Sequence, residues 1–335
     1  MALRRVIIPT VLAVLGLAIL GFPRRGPGAR RVVLEEVLSI GSLDDDLLYQ
    51  WVGIGVDAEG FIYVTDAMDY TLKKFDGRGR LLKKTGGKGQ GPGEFMAPRA
   101  LACSANRLFV TDQNIPGVQV FDKELRFLKR IPLNLLVTEI AALSDDRLAC
   151  KTFELQPRPQ ILIVDGDGRT VSTISYGERD MPIMTDLVDF VPAPDGSFYI
   201  AYSHLDRVEK LSGEGRLLWT KSLFGVKKAR MEKVSTFEVP ADIAFKDVAL
   251  DARGNLFVLG GSYSKNRGRD VYVMNEDGEL LATFPLSESS HCLYIDGRNC
   301  LYVRANEGVT LKKYRIIYEG FAGTSRENSP RFERL

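Results

Sequence analysis

The sequence predicts an all-β chain folded as a six-bladed β-propeller of four-stranded antiparallel blades, with the ring closed by an N-terminal strand. Three observations lead there. Short β-rich segments alternate with Asp/Gly turns, the mark of an antiparallel meander rather than a βαβ chain. The same unit recurs six times. The last copy lacks a fourth strand, while a strand-like piece is left over near the N-terminus.

The chain opens with an apolar run from Val6 to Phe22, preceded by Arg4 and Arg5 and followed by Arg24 and Arg25. That layout predicts a signal peptide or a short signal anchor over residues 1–29, with a transmembrane helix retained because no A-x-A cleavage site follows. Residues 30–317 are assigned to the propeller and residues 318–335 to a polar C-terminal tail.

The clearest repeat runs from Trp51 to Gly86. A strand ends at Val56, DAEG turns into FIYV, and a second turn around Asp66–Asp69 leads to TLKKF. DGRGR then delivers RLLKK. Aligning the second strand of each copy puts Tyr63, Phe109, Ala149, Tyr199, Phe257 and Tyr302 in register, at separations of 46, 40, 50, 58 and 45 residues. A four-stranded blade needs about 40–45 residues, so the longest interval holds an insertion, placed at residues 225–245 and read as a short surface helix. Large residues at the register position are expected between neighbouring blades, with Ala149 calling for different packing in blade three. The strand-like segment at residues 31–39 is expected to become the outer strand of blade six, joining the termini and removing an unfinished edge.

The balance of charge is ordinary, with 26% charged residues and a net charge of +2, and no nucleic-acid motif is present. Cys103, Cys150, Cys292 and Cys300 are too few and scattered for a disulfide framework and read as small buried hydrophobes. The glycine-rich KTGGKGQGPG lacks the GxxxxGK[ST] pattern and no helix is expected after it, so it reads as a connector between blades.

The first copy and its linker, from Gly55 to Phe95, closely resemble the repeat of NHL propellers. The resemblance rests on the D-x-x-G turn at Asp57 and Gly60, strand Ile62–Thr65 followed by Asp66, the Phe75-Asp76-Gly77 turn and the closing GPGEF. It implies the same fold as above, hosting lyases, lactone or ester hydrolases and binding modules, with enzymatic members building metal sites at the channel. Because fold does not select function, the chemistry has to come from residues.

Only His204 and His291 are present, so three-histidine zinc coordination is excluded by count, and both are expected at the surface or in packing. No cofactor is required by any motif. Calcium is possible through oxygen ligands near strand ends, the candidates being Asp66, Asp69, Asp112, Asp189, Asp206 and Asp242. Asp66 and Asp112 occupy one place in adjacent repeats, which points instead to capping of backbone N–H groups. No G-x-S-x-G elbow is present.

Loops between second and third strands are expected to gather at one end of the channel. On that surface Tyr70, Arg158, Tyr202, Tyr263 and Arg267 are the expected ligand-binding residues, a composition suited to peptide or glycan. The function expected is thus extracytoplasmic binding or scaffolding of a cell-envelope protein, peptide or glycan, at a membrane reached through the N-terminal segment. The alternative is a calcium-dependent lactone or ester hydrolase, or a lyase, with its site at the channel mouth. Three or more oxygen ligands converging on a pocket would favour that alternative.

Overall fold

Alternating strand patterns and Asp/Gly turns become six antiparallel meanders in the computed structural model, which describes residues 30–143, 147–152, 159–178, 184–185 and 187–321. Each meander is a four-stranded sheet. The innermost strands, in blade order, are Trp51–Val56, Pro98–Cys103, Val137–Ala142, Val188–Pro192, Phe245–Leu250 and Leu293–Ile295. In the first five blades, chain order runs from the inner strand outward.

Turn chemistry fixes the spacing within a blade. The Asp57 carboxylate accepts the Gly60 and Phe61 N–H groups at 2.9 and 2.8 Å, and its other oxygen accepts the Tyr63 hydroxyl at 2.8 Å. Asp296 repeats the arrangement with Arg298 N–H, Cys300 N–H and the Tyr302 hydroxyl. One carboxylate thereby closes the inner turn and anchors the register residue of the next strand.

Connectors between blades use a second aspartate. Asp66 accepts the N–H groups of Tyr49 and Gln50 at 2.8 and 2.9 Å, and Asp112 accepts those of Met96 and Ala97 at 2.8 and 2.9 Å. The capping expected of this repeated position is therefore what these carboxylates do. Asp66 also pairs with the buried Lys73 ammonium at 2.8 Å.

Packing follows the predicted register. All six register residues are at most 2% exposed, and six hydrophobic clusters occupy the interfaces between adjacent blades. Where Ala149 leaves room, Ile161, Ile163, Ile174 and Tyr176 fill the space between blades three and four. Closure occurs as expected: Arg31–Ile40 pairs antiparallel with Thr310–Glu319, so blade six takes its outer strand from the N-terminal side. Across the seam, the Trp51 indole N–H donates to the Thr310 carbonyl at 3.0 Å.

Two expectations are corrected. The insertion is not a surface helix but a β-hairpin, Met231–Val234 against Phe237–Pro240, with Phe237 and Val234 exposed. Val234, Phe237 and Val239 favour extended backbone, and Ser235 and Thr236 form the two-residue turn that pairs Val234 with Phe237. Second, among the described residues no helix is long and apolar enough to cross a membrane, so the expected transmembrane anchor and membrane partnership are set aside. Residues 1–29, on which they were placed, lie outside the described residues, as does the tail beyond Phe321. The four cysteines are all free.

Candidate active site in the axial channel

Inner strands converge on the ring axis around a cavity of about 1070 Å³. Side chains point into it where the inner strands begin, and the ladder bulges at those starts in blades one, two, three and five. A bulge inserts one residue, tightens the local twist and re-aims the neighbouring side chains.

Counting back two residues from the inner-strand partner of each register residue gives one layer of the channel: Gly53, Ala100, Glu139, Asp189, Asp247 and Cys292. Blades one and two contribute the small residues, and consecutive blades three, four and five contribute carboxylates. Gly53 is required by a close approach, since a Cβ there would lie 2.4 Å from the Arg99 carbonyl oxygen. One wall of the channel is therefore acidic while the opposite wall leaves room.

Second-strand residues complete the site. The position two beyond the register residue is occupied in blade order by Thr65, Thr111, Lys151, Ala201, Leu259 and Arg304. In blades one and two the hydroxyl accepts an inner-strand N–H, from Gly53 at 2.8 Å and Ala100 at 3.0 Å. Blades three and six, on opposite sides of the ring, carry cations instead, and both line the channel.

Electrostatics separate the three carboxylates. Burial between the blades raises Asp189 well above the usual carboxylate range, and the flanking Glu139 and Asp247 carboxylates push it further. Burial takes Asp247 up to about 8 and the Glu139 carboxylate adds to the rise, against the Leu293 and Val248 N–H groups that donate to its oxygens at 2.7 and 2.8 Å. Glu139 is raised by burial too, but Arg99, 3.4 Å away, and Lys151 oppose the rise. Burial and the Asp247 carboxylate push the Cys292 thiol well up, so it is not held as a thiolate. One carboxylate thus has cationic support beside one whose neutral form is favoured by burial and neighbouring charge, the kind of separation acid–base chemistry needs.

Of the calcium candidates, only Asp189 lines the channel. Asp206 accepts the N–H groups of Leu223, Phe224 and Val226, Asp242 pairs with Arg230 at 2.9 Å, and Asp69 pairs with Lys73 at 2.9 Å. The oxygens of the acidic wall are chemically suited to a hard cation. Among the described residues, however, no three His, Cys, Asp or Glu side chains are placed to hold one ion, so no step is routed through a metal.

The five expected ligand-binding residues are dispersed. Tyr202 is fully buried, its hydroxyl donating to Glu209 at 2.8 Å and burial raising its pKa. Tyr263 packs on Phe224 with ring centroids 5.9 Å apart. Tyr70 is half-buried in the left-handed region at φ 60°, with the Lys88 ammonium 5.5 Å from its ring centroid. Arg267 is exposed, and Arg158 lies outside the described residues. Of the two histidines, His204 Nδ1 donates to the Asp242 carbonyl at 2.8 Å, and His291 is exposed and lines the channel.

Sequence reasoning missed Glu139, Lys151, Asp247 and Arg304, although a signal was present. The channel layer lies ten residues before the register residue in every blade but the second, where the interval is nine.

Taken together, the six blades and the channel define a six-bladed β-propeller with an axial cavity lined by charges of both signs. The chain belongs to the family described as 6-bladed beta-propeller, DUF5128, whose model matches residues 44–236. No curated protein matches the chain. Solved structures similar to it include a DUF4221 family member from Bacteroides vulgatus, at 12% identity and TM-score 0.60, covering 87% of this chain and 99% of that one. Virginiamycin B lyase from Staphylococcus aureus aligns at 11% identity and TM-score 0.53, covering 86% of this chain and 100% of its own. A gluconolactonase from Xanthomonas campestris aligns at 11% identity and TM-score 0.56, again over 86% of this chain and 100% of that one. At such identities the likeness is one of fold.

Proposed function

We propose that the protein is a hydrolase or lyase acting on a small lactone or ester at the channel mouth, with carboxylates performing the acid–base steps. The observation that carries this reading is the placement of Glu139, Asp189 and Asp247 at one register position on three consecutive inner strands. Two proteins sharing the fold are named a lyase and a gluconolactonase, which is compatible support and no more.

In the hydrolytic form, Glu139, supported by Arg99, removes a proton from water as its oxygen adds to the substrate carbonyl. Asp189, held protonated, donates to the alkoxide oxygen as the acyl–oxygen bond breaks. In the lyase form, Glu139 removes the proton beside a carbonyl and Asp189 protonates the departing oxygen. Small residues at Gly53 and Ala100 provide space for the substrate against blades one and two.

A panel of lactones and esters assayed with the full chain tests this reading. Glu139→Gln and Asp189→Asn are each expected to lower turnover about 100-fold or more with the fold retained. Undiminished turnover in both variants would sink the assignment. Retained calcium in elemental analysis would redirect it to metal-assisted hydrolysis.

Recognition of protein, peptide or glycan through the outer loops has less support, because Tyr202 is interior and Tyr263 is packed. Kinship of the blades with NHL repeats, and a secreted or periplasmic setting, belong to the same proposal; the second is checked by cell fractionation.

A further inference from the structure

Between blades five and six the channel rim carries cations that serve no ion pair among the described residues. Lys246 donates to the Ser290 carbonyl at 2.9 Å and to the Ser289 hydroxyl at 3.2 Å, with His291 Nε2 at 3.4 Å. Arg304 is tied to the same serine, its backbone N–H donating to Ser290 Oγ at 3.1 Å. Its guanidinium Nη2 donates to a backbone carbonyl, that of Glu307, at 2.9 Å, and its Nε is shielded from solvent with no partner. Among the described residues, neither Lys246 nor Arg304 is paired with a carboxylate.

The nearby acidic groups are otherwise engaged. Asp66 pairs with Lys73, and Asp247 spends its two oxygens on backbone N–H groups. Glu307 is exposed and meets the guanidinium through its main chain. Burial lowers Lys246, Arg304 and His291 alike, and the two neighbouring cations lower the imidazole further. Such crowding is unfavourable unless an anion relieves it.

Backbone strain holds this arrangement in place. Asn306, Glu307 and Gly308 follow one another in the left-handed region at φ 46°, 55° and 104°. A Cβ at Gly308 would lie 2.6 Å from Arg304 Nε, so the turn and the guanidinium are fitted to each other. Strain of this kind persists where the surroundings enforce it, and it collects at functional sites.

We propose that Arg304, Lys246 and His291 form an anion subsite at the channel rim that receives a carboxylate group of the substrate. This inference rests on reading the channel as the active site, and it narrows the substrate class to anionic lactones or esters. The guanidinium Nη1, which is not shielded and has no hydrogen-bond partner among the described residues, offers a directed, charge-assisted bond to a carboxylate oxygen, while Nη2 is held by the Glu307 carbonyl. Lys246 adds charge from the neighbouring blade.

Malonate and its uncharged analogue malonamide probe the subsite without turnover, by ligand-observed NMR titration of the full chain. Malonate is expected to bind saturably, and malonamide about 10-fold more weakly or worse. Arg304→Gln and Lys246→Met are each expected to weaken malonate about 10-fold with thermal unfolding little changed. Gly308→Ala, which retains every charged group but displaces the guanidinium, is expected to weaken it as well. Equal affinity for the two probes, undiminished malonate binding by both cation variants, or no saturable binding around 10 mM would overturn the subsite. A failed titration would leave the carboxylate chemistry standing, whereas full turnover in Glu139→Gln and Asp189→Asn would overturn that chemistry and leave malonate binding intact.

Discussion

Asp247 is the residue at which the site's electrostatics become measurable in the stability of the whole chain. Its carboxyl is held at about 8 in the folded protein, above its ordinary value near 3.8. The folded state therefore binds this proton more tightly than the unfolded chain does. The stabilisation is full below about pH 4 and is lost as pH rises through about 8. The side chain is half-buried and borders the channel, so the effect is on the order of 1–3 kcal/mol rather than the full value of the shift. Thermal unfolding from pH 5 to 9 is expected to show falling stability in the native chain and a flatter profile in Asp247→Asn. Identical slopes in the two proteins would mean that Asp247 titrates as an ordinary carboxylate. Asp189 acts in the same direction, for the same reasons of burial and neighbouring carboxylates.

At the scale of the element, the recurring unit is a strand start together with the aspartate that caps the connector leading into it. Asp66 accepts two connector N–H groups and balances Lys73, which is 1% exposed. Replacing it with alanine leaves the buried ammonium to Asp69 and the Leu47 carbonyl and strands two backbone donors, an expected cost of about 2–4 kcal/mol. Chemical denaturation of Asp66→Ala measures it, and a loss below about 1 kcal/mol would show that water takes over the carboxylate's role. The VTD motif that carries this device was legible in blades one and two. Departures from it were the informative part. Where the threonine gives way to Lys151 and Arg304, the inner strand loses a hydroxyl support and the channel gains a cation. The hairpin at Met231–Val234 and Phe237–Pro240 was read as a helix because its apolar and basic residues allow either period over so short a stretch.

For the whole molecule, closure is the decisive feature. Strand Arg31–Ile40 pairs along its length with Thr310–Glu319, and Trp51 bridges blades one and six. Deleting residues 1–40 leaves blade six without its outer strand and exposes a long edge. Loss of the cooperative thermal transition, with aggregation on size exclusion, is the expected outcome. A truncated chain that unfolded cooperatively at the native temperature would show that five complete blades and one short one suffice.

The repeat, its register and the closing strand could be read from the sequence because their causes are local: a two-residue side-chain period, aspartate turns at fixed offsets and a missing fourth strand. These signals survive in one dimension. The acidic wall and the cationic rim depend instead on residues in different blades arriving at one height around an axis, Glu139 beside Asp189 and Asp247, with Arg304 across from Lys151. Each bulged strand start shifts the alternation by one residue and changes which side chains face the channel. Only ring closure brings those side chains together, and their altered protonation arises from one another's fields and from burial that no single blade provides.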